Sequence, residues 1–324
     1  MKMTKTIKWG MVGTGNVTEV KSGPGFTKAK DSQLLAVTNR THEKAVDYAK
    51  RHNIPLVYNN IDDMIKDKKV DAIYLATPPN VHLTDALKCA KAGIPTYIEK
   101  PVAMTYQDHT TLMDAFYETN TPVWGAYYRR GHERFIKLKE LLEQQSLGNI
   151  CFIQLKLCRN ATPDEIDGTS WRIKPQISGG GLFMDLGVHQ LDIMNFIFGD
   201  VTDVQVRTQN LGNYYEPEDT IFATLTYQSG ITLTATWCFV SHHQEDLIEI
   251  VGEKGRITLS CFGTDPLILQ TDSGTQSFDF TPPQHVHQPL IQTIVDELNG
   301  GAMSPSPLHT SLNTAWVCDC INGY

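Results

Sequence analysis

Through the first 122 residues, short β-branched and apolar runs alternate with longer segments of helical period. IKWGMV (7–12), QLLAVTN (33–39), PLVY (55–58), VDAIYLAT (70–77) and PTYIE (95–99) read as strands. Between them lie helical patterns from about Asn16, over 42–52, 61–67 and 81–93. Crossover helices between short strands imply a parallel sheet covered on both faces. Beyond about Val123 the pattern changes. One helix runs through ERFIKLKELLEQQ, followed by strand-type runs at 151–158, 201–209, 220–227, 231–240 and 246–252. Turns such as QSG and GEKG separate the later runs, as in antiparallel hairpins. The expectation is an α/β domain over 1–122 and an α+β domain with a predominantly antiparallel sheet over 123–324.

Length supports that division, because 324 residues exceed what one hydrophobic core usually serves. With 41% hydrophobic and 20% charged residues the composition is that of an ordinary globular protein. A formal charge of -8 without a Lys/Arg cluster excludes a nucleic-acid surface and leaves small molecules as the expected partners. No apolar stretch reaches the length of a signal-peptide core or a membrane span, so no membrane partner and a cytoplasmic location are expected. Seven cysteines without paired metal spacing imply reduced, mostly buried thiols and no metal site.

Ligands of a doubly wound sheet bind at the carboxyl ends of its strands, and four such ends carry unusual residues. In GTGNV (Gly13, Thr14, Gly15, Asn16, Val17) the glycines allow a tight turn and close approach to a pyrophosphate, which makes this a Rossmann dinucleotide-binding domain. Thr18 stands where the fingerprint has its third small residue. The second strand ends in TNR, without the acid that would hold an NAD ribose. Asn39 and Arg40 suit a 2′-phosphate instead, so NADP is preferred over NAD. The third end, TPPNVH, offers Thr77, Pro78, Asn80 and His82 as a cofactor wall, with Asn80 placed to cap the next helix and His82 structural or cofactor-adjacent. The fourth, EKP, puts Glu99 and Lys100 beside the nicotinamide half of such a site.

In the second domain, GGGLFMDLGVHQLD (179–192) sets Asp185, His189 and Asp192 into an apolar run at i, i+4 and i+7, one face of a helix. Burying charge there is costly without a purpose or a partner. Imidazole suits proton removal from a secondary alcohol near neutral pH, which His189 would perform. Asp185 would hold a neighbouring hydroxyl, Lys100 would stabilise the developing oxyanion, and Asp192 would support His189. Arg172, after Trp171, is a candidate for gripping substrate, as is Tyr128. The segment 127–135, with Tyr128 and Arg129, reads equally as a solvated basic helix start. The pairs His242-His243 and His285-x-His287 are assigned to loops.

GTGN, TPPNVH, EKP and D-x-G-x-H, in this order and with the last two about 85 residues apart, resemble the family of glucose-fructose oxidoreductase and inositol dehydrogenase, Gfo/Idh/MocA. The resemblance covers nearly the whole chain. It implies a catalytic set of Lys100, Asp185 and His189, and a second-domain sheet whose open face makes homodimer or homotetramer contacts. The expected function is NAD(P)-dependent hydride transfer on a secondary alcohol or ketone of a sugar, polyol or related compound. A cofactor-retaining glycosidase and a non-catalytic cofactor-binding regulator are the alternatives.

Overall fold

The computed structural model describes residues 4–323. Residues 4–132 with 283–312 make one compact unit, and 133–282 with 313–323 a second. Instead of one boundary near residue 122, the chain passes between units three times.

The first unit runs β1 (Ile7–Val12), α1 (Asn16–Val20), α2 (Gly23–Lys28), β2 (Ser32–Thr38), α3 (His42–His52), β3 (Leu56–Tyr58), α4 (Ile61–Asp67), β4 (Ala72–Leu75), α5 (His82–Ala92), β5 (Thr96–Ile98), α6 (Tyr106–Glu118) and β6 (Val123–Gly125). The helix expected from Asn16 is interrupted at Val20 and restarts with Pro24 in the first turn of α2, where a missing N–H costs nothing. All neighbouring strands are parallel, in the order β3-β2-β1-β4-β5-β6. The direction of winding reverses between β1 and β4, and the crevice at their carboxyl ends is where such a sheet binds its ligand. Trp9, Phe26, Tyr74 and Tyr97 form a chain of ring contacts through the core, with centroids 4.9, 5.0 and 5.2 Å apart.

The second unit begins with α7 (Glu133–Glu143), β7 (Ile150–Cys158), α8 (Pro163–Ile166), α9 (Pro175–Ser178), α10 (Val188–Phe198), β8 (Val201–Gln209), β9 (Thr220–Tyr227), β10 (Thr232–Cys238) and β11 (Glu245–Gly252). It continues with β12 (Gly255–Leu259), β13 (Leu267–Thr271) and β14 (Gly274–Phe278), three short strands that the apolar pattern alone did not mark. The chain then returns to the first unit with α11 (Gln288–Leu298) and closes with α12 (Leu312–Asn322). Leu290, Ile291, Ile294 and Val295 of α11 are fully buried and complete the first unit's core, which is why the chain returns there.

The second sheet has the order β14-β13-β12-β11-β7-β10-β9-β8 and is antiparallel except for the β7/β10 pair. Ile153, Leu155, Ile221, Leu225, Leu233, Trp237, Ile248 and Ile250 alternate onto one buried face, while Phe152 and Phe222 point to the exposed one. On the buried face lies α10. Trp237 Nε1 donates to Gln190 Oε1 at 2.8 Å, and on the far side Asn195 Nδ2 donates to Thr314 Oγ1 of α12 at 3.2 Å. Burial on both sides explains why this helix is apolar nearly all round. The thiols depart from expectation: Cys89, Cys261 and Cys318 are buried, but Cys158, Cys238 and Cys320 are half-buried and Cys151 is exposed. Three of these four exposed or half-buried thiols sit on strands with one open face.

Candidate active site

In the first unit the carboxyl ends of β1, β2, β4 and β5 carry the residues singled out in the sequence. Gly13 has φ +99°, and a Cβ there would lie 2.7 Å from the Ala76 carbonyl oxygen, so only glycine lets the ends of β1 and β4 meet. At Gly15 the place of a Cβ is open, with no atom of the described residues beyond its immediate chain neighbours within 4 Å. Thr14 and Val17 are half-buried and Asn16 is exposed. Thr18 is buried, its hydroxyl turned back 2.7 Å to the Gly15 carbonyl, so a residue larger than the fingerprint's third position is absorbed locally. The hydroxyls of Thr38 and Thr77 are buried without a protein partner. A glycine-lined opening flanked by two orphaned hydroxyls fits a polar ligand lying across β1, such as a dinucleotide.

Asn39 bridges the loops: its Nδ2 donates to Thr14 Oγ1 at 2.8 Å, and its Oδ1 accepts from the Thr41 N–H at 2.9 Å. Arg40 is exposed. Pro78 is exposed, and Asn80 lies in a short 3₁₀ turn (Pro79–Val81) and caps nothing, because that turn moves the start of α5 to His82. His82 is buried, its Nδ1 3.0 Å from the Pro101 carbonyl and its Nε2 2.7 Å from that of Thr77. It ties the loop after β4 to the loop after β5. Burial lowers its pKa.

Glu99 and Lys100 follow β5. Lys100 is half-buried, while Glu99 is only 6% exposed. The Tyr74 hydroxyl donates to Glu99 Oε1, and the Lys100 backbone N–H donates to Oε2 at 3.2 Å. His287 Nε2 lies 3.5 Å from Glu99 Oε1, longer than a full hydrogen bond, and finds no nearer acceptor. Its Nδ1 is 3.1 Å from the Tyr97 hydroxyl. His287, expected in a loop, is therefore wholly buried at the start of α11. Burial raises the Glu99 pKa, against the lowering effects of Tyr74 and of the Lys100 and Lys21 charges.

In the second unit Asp185 lies in a single wide π-turn, Phe183–Gly187, that leads into α10. Regular helical stacking of Asp185 over His189 was the expectation. The π-turn instead inserts extra backbone between them, a departure common at functional sites. Gly187 permits it: a Cβ there would lie 2.3 Å from the Phe183 ring. Arg172 Nε donates to Asp185 Oδ2 at 2.8 Å, and its guanidinium lies over the Trp171 ring at 4.8 Å. Both partners stay partly open, with side chains 39% and 25% exposed. His189 is 4% exposed, in the first turn of α10, with its ring edge-on to Phe262 at 5.9 Å. Asp192 is buried, and its charge is felt by the Cys318 thiol of α12.

The segment 127–135 is not a solvated basic start. Tyr128 stacks on His287 with centroids 4.4 Å apart. Arg130 is 1% exposed and donates to the Pro305 carbonyl and Thr310, while Arg134 donates to the carbonyls of Ser260, Gly263 and Asp265. The carbonyls they satisfy lie more than 100 residues away, beyond the reach of local pattern. Tyr74, Tyr97 and His287 were missed around Glu99. The only signal was a histidine two residues from another, just before an apolar helical pattern.

Residues 7–127 match the model of an oxidoreductase family with an NAD-binding Rossmann fold, and residues 135–258 match that of the GFO/IDH/MocA C-terminal domain. An oxidoreductase of Formosa agariphila is 33% identical over 323 residues, covering 99% of this chain and all of that one. A trans-1,2-dihydrobenzene-1,2-diol dehydrogenase of Xenopus laevis is 26% identical over 87% of this chain and 83% of its own. Among solved structures, a levoglucosan dehydrogenase in complex with NADH and L-sorbose superposes with TM-score 0.86 at 20% identity, over 98% of this chain and 96% of that one.

Proposed function

The chain belongs to the Gfo/Idh/MocA family of oxidoreductases, and from that premise we propose that it is an NAD(P)-dependent dehydrogenase or reductase acting on a secondary alcohol or ketone of a sugar or polyol. The observation that carries this reading is Lys100 at the carboxyl end of β5 in a 3-2-1-4-5-6 sheet, backed by a buried carboxylate. The relatives' names support the substrate class: one oxidises a diol, and one structural neighbour holds a ketose. The free thiols suit a reducing compartment such as the cytoplasm. The exposed sheet face bearing Phe152 and Phe222 suits a homodimer or homotetramer contact.

Gly13, Thr14, Gly15, Asn16, Val17, Thr38, Thr77, Pro78 and Asn80 would line the dinucleotide site, with His82 and Glu99 buried behind it as supports; the dinucleotide, when bound, supplies the acceptor or donor of hydride. His189 takes the hydroxyl proton of the alcohol as the C–H bond breaks, and returns it in the reverse direction. Lys100 holds the same oxygen as negative charge develops on it. Asp185, oriented by Arg172, accepts a hydrogen bond from the adjacent hydroxyl and fixes which carbon is presented. The test is a panel of sugars, inositols and sugar acids with both nucleotides, followed at 340 nm. Stoichiometric absorbance change with a polyol supports the reading. Sugar release at constant absorbance would instead identify a cofactor-retaining glycosidase, and nucleotide binding without turnover of any kind a regulator.

The nucleotide preference follows from the end of β2. We expect NADP(H) to bind more tightly than NAD(H), with Arg40 pairing with the 2′-phosphate and Asn39 offering no repelling charge. In Asn39→Asp the carboxylate still accepts from the Thr41 N–H and can accept from the Thr14 hydroxyl, so the loop keeps its geometry. Calorimetry should show the NADP:NAD affinity ratio falling by at least roughly tenfold, through like-charge repulsion. Tighter NAD(H) binding by the unaltered protein would show that Arg40 serves another purpose.

A further inference from the structure

We propose that Cys158 and Cys238 form a two-thiolate site for a soft, two-coordinate cation of the copper(I) class. The two lie 80 residues apart in sequence, and spacing along the chain gives no hint of the pair. Strand register brings them together. β7 and β10 run parallel in unbroken register, from Leu233 opposite Ile153 to Cys238 opposite Cys158. Leu155, Leu157, Ala235 and Trp237 of these strands are buried, so by alternation the two thiols stand side by side on the open face. Both are free and half-buried.

Spacing decides what such a pair can hold. In-register side chains on adjacent strands start about 4.8 Å apart. A disulfide needs its Cβ atoms within roughly 3.5–4.5 Å, so closing one would pull the strands together. A linear sulfur–metal–sulfur bridge with bonds of about 2.3 Å spans roughly 4.6 Å and fits without that shift. The row offers no further ligand. Glu245, opposite Cys158 on β11, is taken by Lys156 Nζ and His243 Nε2, each at 3.7 Å. Thr220, opposite Cys238 on β9, donates its hydroxyl proton to Asp219 Oδ1 at 2.9 Å, so the Cys238 thiol is the donor in their 3.4 Å contact. Among the described residues no group of three His, Cys, Asp or Glu side chains is placed to hold a metal ion. Structural zinc wants four ligands, whereas soft thiolates select copper(I), which is satisfied with two. Burial first, then the Cys238 thiol and Glu245, raise the Cys158 pKa, so without a cation the pair stays protonated. A cation shared by both sulfurs removes their mutual repulsion. Two S–H bonds break, two S–metal bonds form and two protons leave to solvent, with no change of oxidation state.

The test does not draw on the oxidoreductase reading. The reduced 324-residue chain is titrated anaerobically with copper(I) in competition with the chelator bathocuproine disulfonate. One equivalent per chain should transfer to the protein. Cys158→Ser and Cys238→Ser should each weaken binding by roughly 10²-fold or more, the loss of one arm of a two-point contact, while Cys151→Ser and Cys320→Ser leave it unchanged. X-ray absorption at the copper edge should show two sulfur neighbours. A measurement on the unaltered protein serves if a variant fails to fold. Iodoacetamide at alkaline pH, mapped by peptide mass, should reach Cys158 and Cys238 in the metal-free chain and be blocked at both by one equivalent of copper(I), with Cys151 still labelled. Each of five results overturns the proposal: no competitive uptake, uptake undiminished in Cys158→Ser or Cys238→Ser, half an equivalent that depends on Cys151, a third ligand on the metal, or a pair already closed to iodoacetamide before copper is added.

Discussion

Replacing Lys100 by Met should lower kcat on the physiological substrate by roughly 10²–10⁴-fold, the range for losing a group that both stabilises charge and assists proton transfer. Met is close in length and leaves the half-buried position filled, so the fold should not suffer. Lys100 follows β5, and its backbone N–H anchors the loop to Glu99, a bond that Met retains. Dinucleotide affinity should weaken only modestly. Stopped-flow measurement of hydride transfer in a single turnover separates the chemical step from product release. A Lys100→Met enzyme that transfers hydride at a near-wild-type rate would remove the lysine from the mechanism.

The parts of this molecule legible in the sequence are those in which one short segment carries its own signal. The βα alternation up to β5 and the strands from β7 to β11 follow from local apolar period, and GTGN and EKP fall at strand ends because strand ends are where the pattern stops. What was not legible depends on partners distant in the chain. Arg130 and Arg134 look solvated in sequence because the carbonyls that bind them lie more than 100 residues later. His287 looks like a loop residue until α11 is seen to pack its apolar face into the first unit's core. The π-turn at Asp185 was hidden for another reason. A single extra backbone residue leaves an apolar helical pattern almost unchanged, and its trace is a glycine at 187 whose missing side chain makes room for Phe183. Asn80 looked like a helix cap because a cap and a 3₁₀ turn favour the same residue types, and only the observed start of α5 at His82 distinguishes them.

The second large effect is expected at His189. In His189→Ala, kcat should fall by roughly 10²–10⁴-fold, the range for a lost general base, while dinucleotide affinity measured by calorimetry stays within about threefold. The separation follows from the fold: His189 belongs to the second unit and the glycine loop, Asn39 and Arg40 to the first. His189 is nearly buried at the head of α10, against Phe262, so truncation leaves a small cavity and some loss of stability. His189→Asn, which keeps much of the volume and a hydrogen-bonding group but cannot take up a proton near neutral pH, controls for that loss. It should fold as the wild type does and still turn over slowly. The wild-type kcat/KM should fall on the acid side as the imidazole protonates, and this acid limb should vanish from the residual activity of both variants. An acid limb that survives in His189→Asn would assign the base to another residue. Retention of near-wild-type turnover by either variant would leave His189 a packing residue of α10, with Asp185 and its Arg172 partner then the first place to look for the proton acceptor.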